Sequence, residues 1–344
     1  MKKKIFCSLW LTILVQLLPI YSRAEVNAQE FSPMSTISVS APVANVRWSP
    51  EFSWLASSNY NDSLISIWDV ANGELVTSLG ISHESEVQAL EWSPNGEFIA
   101  SLYGNYRFQI WRVNERWGSL LNFRLDTFLK QDLYTSYLTS LAWSPDSRRI
   151  ALTVDYHLII WDLASGFTYN SQNEFSAVEA AWSPDGREIA IMLPDGSTRI
   201  IDGSSFKMLT TLSRPEIVPI RMVYDPTDRI IAWSSDSTKF AYFGNDFAAK
   251  TSTIVILNIL DASSWILANF AANNLREIAW SPIDAFLASA GTNSTVHVWD
   301  TNTRENIAIF EAHTDIVTSL DWSPDGKYLV SSSLDGTIRI RNIG

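Results

Sequence analysis

The chain has 344 residues, of which 46% are hydrophobic and 18% charged, so it can bury a large core and is not an intrinsically disordered protein. Its 37 acidic residues outnumber its 25 basic residues, and the resulting negative charge repels nucleic-acid phosphates and anionic lipid head groups. We therefore expect no binding to nucleic acid.

The N-terminal residues have the layout of a secretory signal peptide. Three lysines at 2–4 precede an apolar run over 5–20, and small residues suit cleavage after Ala24. The run is short for a membrane span, although an uncleaved anchor is the alternative. We expect residues 1–24 to be a cleaved signal peptide and residues 25–34 a short linker. This predicts no membrane span after cleavage and a secreted or periplasmic (cell envelope) protein.

A tryptophan-containing motif recurs through the rest of the chain. Trp-Ser-Pro begins at Trp48, Trp92, Trp143, Trp182, Trp280 and Trp322, and a related Trp-Ser-Ser begins at Trp233. Successive copies are 44, 51, 39, 51, 47 and 42 residues apart. Periods of this length are typical of repeat architectures, and seven such units fill the chain from about residue 36 to its end.

Each unit has the pattern of a small antiparallel meander. A turn follows the tryptophan, as in Pro-Asp-Gly at 184–186, and an apolar stretch such as 328–330 comes next. A second turn at 334–336 leads to the alternating strand 337–340. One such sheet buries its faces poorly alone, whereas sheets packed around an axis form a propeller.

The third predicted strand often ends in Trp-Asp, 18 to 20 residues after the first tryptophan of the unit. The dipeptides are Trp68-Asp69, Trp161-Asp162 and Trp299-Asp300, and Trp111-Arg112, Ile201-Asp202 and Arg341-Asn342 stand at the same place. In this repeat the chain resembles the WD-repeat family, over nearly its whole length after the N-terminal segment. The resemblance implies an all-β fold, a single seven-bladed β-propeller of four-stranded antiparallel blades over residues 35–344.

The family often links a histidine before the first strand to an aspartate before the third strand and to the third-strand tryptophan. The resemblance assigns this structural role to His83, Asp155, His313 and Asp335, together with Trp111 and the Trp-Asp pairs above. No single unit has the full set, because unit two has Asn105 at the aspartate position and unit seven has Arg341 at the tryptophan position.

The last unit stops after its third strand. The segment 35–40, which precedes the first unit, alternates like a strand. We expect this N-terminal strand to complete the last blade and close the ring, as it does in family members. Closure removes an unpaired blade edge that would invite aggregation.

Three insertions interrupt the repeat. The distance from a third-strand end to the next first-strand tryptophan is usually 21 to 24 residues, but it is 32 before Trp143 and before Trp233. A further insertion lies near 244–252 in unit five, with Leu257-Asn258 at the Trp-Asp position. Alternatively, Tyr224-Asp225-Pro226 begins this unit. The architecture of the family places all three insertions on one face of the ring.

Aromatic and charged side chains on loops held by a rigid scaffold suit the centre of an interface. We therefore assign partner binding to nine residues of the insertions: Phe128, Lys130, Tyr134, Tyr137, Arg214, Glu216, Arg221, Phe247 and Lys250. The alternative is that these loops fold over and shield their own aromatic side chains.

The sequence has no phosphate-binding glycine loop, no serine-nucleophile elbow and no zinc-ligand spacing. We expect no catalytic residue, no metal and no cofactor. The resemblance implies an exported scaffold, not an enzyme, that mediates protein-protein interaction through one loop-rich face. Its partner would be a protein or peptide, and we expect a monomer. The alternative is an envelope-associated small-ligand binder or hydrolase at the central channel mouth, which acidic residues converging on the axis would favour.

Overall fold

The computed structural model describes residues 33–80, 85–113, 117–126, 138–171, 174–213, 229–246, 251–271, 275–311 and 313–344. In these residues, 28 strands form seven four-stranded antiparallel sheets. The prediction of an all-β, seven-bladed propeller is confirmed. No helix among the described residues is long and apolar enough to cross a membrane.

The strands follow the chain blade by blade. Strand β1 (Pro33–Ser38) comes first. Blade 1 is β2 (Val43–Trp48), β3 (Trp54–Asn59), β4 (Ile65–Asp69) and β5 (Leu75–Leu79); blade 2 is β6 (Val87–Trp92), β7 (Phe98–Tyr103), β8 (Arg107–Arg112) and β9 (Gly118–Arg124); blade 3 is β10 (Leu138–Trp143), β11 (Arg149–Val154), β12 (His157–Asp162) and β13 (Gly166–Asn170).

Blade 4 is β14 (Glu179–Trp182), β15 (Glu188–Met192), β16 (Thr198–Asp202) and β17 (Met208–Leu212); blade 5 is β18 (Ile231–Trp233), β19 (Lys239–Asp246), β20 (Thr251–Asn258) and β21 (Ser264–Ala271); blade 6 is β22 (Leu275–Trp280), β23 (Phe286–Gly291), β24 (Thr295–Asp300) and β25 (Glu305–Glu311); blade 7 is β26 (Val317–Trp322), β27 (Tyr328–Ser333) and β28 (Thr337–Asn342), with β1 as its outer strand.

The core lies between neighbouring sheets. All residues of β2 and β7 are buried, because both faces of an inner or second strand pack against other blades. The outer strands β5 and β17 are mostly exposed. Hydrophobic side chains on both faces of the inner strands therefore stabilise the ring as a whole.

The recurrent first-strand tryptophans tie adjacent blades together. The indole Nε1 of Trp92 donates to the backbone oxygen of Arg47 in the preceding blade at 3.3 Å. The indole Nε1 of Trp233 donates to the backbone oxygen of Ala181, and that of Trp322 donates to the backbone oxygen of Ala279, each at 3.0 Å. The motif tryptophans of blades 2, 5 and 7 therefore each link their blade to the preceding one.

The serine after each of these tryptophans fixes the turn that follows. Ser183 Oγ donates to Asp185 Oδ1 at 2.7 Å and accepts the backbone N–H of Glu188 at 3.0 Å. The corresponding serines of blades 3, 5 and 7 make both contacts too. The recurrent aspartates of these turns therefore stabilise backbone geometry.

Strand β1 closes the ring, as the sequence predicted. It pairs with β28, with Ile37 opposite Ile338, and the backbone N–H of Val39 donates to Gly336 O at 2.7 Å. Gly336 has φ +77°, and a Cβ there would lie 2.9 Å from Val39 O, so the closing turn requires glycine. The strand spans 33–38 rather than 35–40, so it begins within the predicted linker 25–34. The predicted signal peptide 1–24 and linker residues 25–32 lie outside the described residues.

Blade 5 aligns with the other blades through Trp233, which ends its inner strand β18. Leu257 pairs with Phe240 and Asn258 with Lys239, as Trp161 and Asp162 pair with the start of β11 in blade 3. The alternative start at 224–226 therefore does not hold. Strands β19 and β20 each have 8 residues, so their hairpin is longer than those of the other blades.

The residues assigned to the histidine network take different positions. The indole Nε1 of Trp68 donates to Ser57 Oγ at 2.8 Å, and that of Trp299 donates to Ser289 Oγ at 3.0 Å. Both acceptors are serines of a second strand, and neither was predicted from the sequence. The aspartates of the Trp-Asp pairs accept backbone N–H groups of the next turn: Asp69, Asp162 and Asp300. Trp111 and Trp161 lie on β8 and β12, Asp155 lies in a turn with φ 48°, and His83 lies outside the described residues.

The network is most complete in blade 7. His313 Nε2 lies 2.8 Å from Ser331 Oγ, and its Nδ1 lies 3.2 Å from Asp335 Oδ2. Burial lowers the pKa of His313 to about 4, although the Asp335 carboxylate opposes this shift. The ring is therefore neutral at pH 7. Since Asp335 can only accept, Nδ1 carries the proton and Nε2 accepts the proton of Ser331.

Replacing His313 with Ala is expected to lower the free energy of unfolding by about 2 kcal/mol, because it leaves buried hydroxyl and carboxylate groups without their partner. Urea unfolding of His313→Ala, Ser331→Ala and the double variant measures the coupling between the two side chains. We expect a coupling above about 0.5 kcal/mol. Additive losses would show that the histidine acts through packing alone.

Candidate functional site

The inner strands of all seven blades surround a central channel. Their polar and apolar side chains line a cavity of about 250 Å³. Contacts between successive inner strands run from β2 through β6, β10, β14, β18 and β22 to β26 and back to β2. Each blade therefore contributes to the channel wall.

Two ion pairs span this channel. Arg47 of blade 1 lies 3.1 Å from Glu277 of blade 6, and both side chains are buried. Arg229 of blade 5 pairs with Glu91 of blade 2, on the opposite side of the ring, and its Nε lies 3.8 Å from Glu277. Arg47–Glu277 and Arg229–Glu91 join blades that are not adjacent, so these two pairs hold the ring together across its axis, whereas the longer contact of Arg229 with Glu277 links the adjacent blades 5 and 6.

The channel acids also bond the backbone of the following blade. Asp321 Oδ2 accepts the N–H of Trp48 at 2.7 Å, which links blade 7 to blade 1. Glu179 Oε2 accepts the N–H of Ile230 at 2.7 Å, and Glu277 Oε2 accepts that of Leu320 at 2.8 Å. An inner strand is the edge of its sheet, so these carboxyl groups satisfy N–H groups that would otherwise be unpaired.

Two of these acids differ from the others in their electrostatic environment. Within the described residues, neither Glu179 nor Asp321 has a Lys, Arg or His within 4 Å. Burial raises the pKa of Glu179 to about 8, although the Ile230 N–H and Arg229 oppose this shift. Burial likewise raises the pKa of Asp321 to about 6, against the opposing charge of Arg47. Glu179 is therefore mostly protonated at neutral pH.

The channel residues were not predicted from the sequence, although the sequence contains a signal for them. Arg47, Glu91 and Asp321 directly precede a motif tryptophan, whereas alanine stands at this position in the other four blades. A charged residue on a strand that is otherwise buried requires a partner. The partners themselves lie in distant units, so the sequence could not pair them.

The predicted interface residues all lie outside the described residues: Phe128, Lys130, Tyr134, Tyr137, Arg214, Glu216, Arg221, Phe247 and Lys250. The strands that flank them show which face they leave from. Arg124, the last residue of β9, pairs with Arg107, the first residue of β8. The connection after an outer strand therefore leaves from the same face as the turn between second and third strands. We call this face the loop face, and the opposite one the turn face.

The loop face has a well-anchored base at blade 5. Asn245, which is 2% exposed, donates from Nδ2 to Leu275 O at 3.0 Å and accepts the N–H of Leu275 at 3.1 Å. Ser252 Oγ on β20 donates to the same Asn245 Oδ1 at 2.5 Å. These bonds fix the base of the long hairpin, and hence the residues that flank 247–250, against blade 6.

Comparison with protein families gives one match. The model described as WD domain, G-beta repeat matches residues 24–69, 73–112, 127–162, 266–300 and 304–342, which together are more than half of the chain. These segments correspond to blades 1, 2, 3, 6 and 7. Blades 4 and 5, which have no Trp-Asp pair, lie between the third and fourth of them.

The chain is also similar to curated proteins. It is 28% identical over 236 residues to periodic tryptophan protein 2 homolog of Dictyostelium discoideum, which covers 65% of this chain and 24% of that protein. It is 22% identical to protein HIR1 of Candida albicans, over 86% of this chain and 31% of that protein. The WD repeat-containing protein WDS homolog of Arabidopsis thaliana is 24% identical, over 90% of this chain and 57% of that protein. The chain thus spans only part of each of these relatives.

These relatives correct one prediction. The expectation of a secreted or periplasmic (cell envelope) protein is wrong, since the relatives are nuclear or nucleolar proteins of eukaryotes. That expectation relied on the charge and hydropathy of the N-terminal residues alone. Cleavage after Ala24 stays an untested prediction.

Proposed function

Because the chain belongs to the WD-repeat family, we propose that it is a scaffold that mediates protein-protein interaction and binds a protein or peptide partner through its loop face. WD-repeat propellers generally bind protein partners, and relatives such as periodic tryptophan protein 2 and HIR1 are typically non-catalytic scaffolds. The observation that carries the proposal is the position of the insertions. The connections after β9 and β17 and the β19–β20 hairpin all leave from this one face.

The rest of the ring supports this assignment because it forms a fixed base. Closure by β1, the bonds of Trp92, Trp233 and Trp322 between blades and the ion pairs across the channel restrain most of the sheets relative to one another. Side chains presented by a rigid base lose little conformational freedom on binding, which favours affinity. The aromatic residues Phe128, Tyr134, Tyr137 and Phe247 would then form the centre of the interface.

The alternative of a hydrolase in the channel has less support. Acidic residues do converge on the axis, as that alternative requires. However, Glu91 and Glu277 are paired with guanidinium groups, and Glu179 and Asp321 accept backbone N–H groups. These contacts suit a role in holding blades together.

Changing Phe128, Tyr134, Tyr137 and Phe247 together to Ala is expected to weaken partner binding at least tenfold, because aromatic side chains dominate interface energetics. The partner is identified by affinity capture with the intact chain, and its affinity for each variant is then measured with purified proteins. The matched control changes Leu260 and Ile283 to Ala, two exposed apolar residues in turns of the turn face.

We expect the control variant to bind like the wild type, while the loop-face variant keeps its circular dichroism spectrum and loses binding. Equal binding by all three proteins would place the interface elsewhere. A loss confined to the Leu260 and Ile283 variant would assign the partner to the turn face instead.

A further inference from the structure

A groove lies on the flank of the ring, where the outer strand of blade 1 faces blade 2. Residues 76–80, from β5 and its end, line one side of it, and the indoles of Trp111 and Trp117 line the other. Its volume is about 490 Å³, which is in the size range of ligand sites. The groove is lined by strands and their ends, so it is separate from the central channel and from the insertions of the loop face.

One side of the groove is a strand edge without a partner. Strand β5 is the outermost strand of its sheet, in the order β2-β3-β4-β5, and its ladder joins it to β4 alone. Among the described residues, 75–80 make no backbone hydrogen bond beyond this ladder. The outward N–H and C=O groups of β5 can therefore pair with an added strand.

The sequence of β5 lacks the features that usually protect such an edge. Leu75–Leu79 contains no proline and no charged residue. Its first two side chains, Leu75 and Val76, are 51% and 45% exposed. A bulge at Val76 interrupts the pairing with β4, and residues 77–79 continue the regular ladder. The edge is therefore open to strand addition over its second half.

The charge around the groove is acidic. Between Arg47 and Arg107 the chain has eight Asp or Glu residues and no Lys or Arg. Arg112 directly follows an indole of the groove in the chain, but its guanidinium lies over the ring of Phe98. Since Phe98 stacks on Trp143 of blade 3, Arg112 lies on the side of blade 2 that faces away from the groove. The groove is therefore complementary to a basic segment.

Two of these acids lie at the ends of β5. Glu74 is exposed and directly precedes the strand. Asp62 is partly exposed and lies at the other end, since the backbone oxygen of its neighbour Ser63 is 2.6 Å from the position of a Cβ on Gly80. Lysine and arginine suit this arrangement, because their aliphatic stems pack on an indole while their charged heads reach a carboxylate.

We propose that an extended basic segment of a partner protein binds in this groove and adds to blade 1 as a fifth strand beside β5. Its backbone pairs with the edge of β5, its aliphatic groups pack against Trp111 and Trp117, and its cationic heads face Glu74 and Asp62. At about 3.3 Å per residue the groove takes a strand of about four or five residues. This surface does not depend on the binding proposed for the loop face.

The probe is a peptide of four Lys-Val repeats with an acetylated N-terminus and an amidated C-terminus, titrated into the full chain by isothermal titration calorimetry. We expect binding that weakens as salt is added, because charge attraction contributes to it. The same peptide with glutamate in place of lysine should bind about tenfold more weakly or worse. Equal affinities of the two peptides would contradict the role of the acidic surroundings.

Two N-methylated forms of the Lys-Val peptide test the strand pairing. Successive N–H groups of an extended chain point to opposite edges, so methyl groups on every lysine backbone nitrogen block one edge and those on every valine nitrogen block the other. We expect one form to lose binding and the other to keep it. Equal affinities of the two forms would overturn strand addition.

The variant Thr77→Lys tests whether the peptide binds at β5. Thr77 lines the groove opposite Ile67, and Thr210 takes the equivalent position on the outer strand β17 of blade 4, opposite Ile200. Thr210→Lys is therefore a control with the same change of residue and charge. We expect Thr77→Lys to weaken binding of the Lys-Val peptide about tenfold, and Thr210→Lys to bind it like the wild type. Equal affinities of the two variants would overturn the proposal.

Circular dichroism establishes that both variants are folded. If Thr77→Lys does not fold, Glu74→Lys replaces it, with Glu305→Lys as its control, since both glutamates are exposed and stand six residues after the third-strand tryptophan. Only Glu74→Lys should then weaken binding. A second copy of the chain is the competing occupant. A wild-type dimer that Thr77→Lys or Glu74→Lys converts to a monomer in analytical ultracentrifugation would show that β5 pairs with itself, against the proposal.

Discussion

Glu179→Gln is expected to stabilise the protein at pH 8 and to flatten the fall of its stability with pH. The folded-state pKa of Glu179 is raised to about 8 from an ordinary value of 4.5, so unfolding releases a proton between these values. Stability from this group is therefore fully present below pH 4.5 and is lost as pH rises towards 8, by about 1.4 kcal/mol per pH unit at most. Glutamine keeps a neutral side chain that accepts the Ile230 N–H at every pH.

The measurement is urea unfolding in steps from pH 6.5 to 8.5. This window lies above the pKa of Asp321, which is raised to about 6, so that the Asp321 contribution is already lost. The exposed substitution Glu305→Gln serves as the control and should follow the wild type. Parallel pH profiles for wild type and Glu179→Gln would show that Glu179 is ionised in the folded protein.

Glu277→Gln is expected to destabilise the protein by about 3 kcal/mol or more, because it leaves the buried Arg47 guanidinium without its counter-charge. Adding Arg47→Met to this variant removes the unpaired charge and should restore most of the loss. The exposed pair of Arg187 and Asp185, at 3.7 Å, provides the matched comparison, since Arg187→Met should change stability by less than about 1 kcal/mol.

Chemical denaturation of these four proteins at pH 7 distinguishes the explanations. Recovery in the Arg47→Met, Glu277→Gln protein would show that the cost arises from the unpaired charge. A double variant as unstable as Glu277→Gln alone would instead show that the ion pair itself stabilises the ring. A loss in Glu277→Gln no larger than that in Arg187→Met would contradict the burial of this pair.

The fold was predictable because its signals are local. Each Trp-Ser motif begins a turn, and in blades 3, 4, 5 and 7 the serine bonds an aspartate two residues later, so the seven blades could be located before any long-range contact was known. The closing strand could be predicted from the incomplete last unit. The channel could not, since Arg229 and Glu91 are 138 residues apart and meet only when the ring closes.

The other predictions depended on fewer features of the sequence. The partner residues were assigned from insertion lengths, and that assignment stays a prediction, because the residues lie outside the described ranges. The location in the secretory pathway was inferred from the N-terminal segment alone, that is from the lysines at 2–4, the apolar run over 5–20 and the small residues before the cleavage position, and the relatives contradict it. The second-strand serines such as Ser57 were missed because a serine in a strand has no distinctive pattern.

The pairing of β1 with β28 also determines the order of events during folding. All four strands of blades 1 to 6, and three of the four in blade 7, are consecutive, so hairpins can form as soon as those strands leave the ribosome. Pro33, by contrast, pairs with Arg341 and must find it across nearly the whole chain. Closing a loop of about 300 residues costs roughly 5 kcal/mol of chain entropy, which only the completed interfaces of blade 7 offset. Ring closure is therefore expected to be the final, rate-limiting step of folding, and blade 1 exposes its apolar side to chaperones until then.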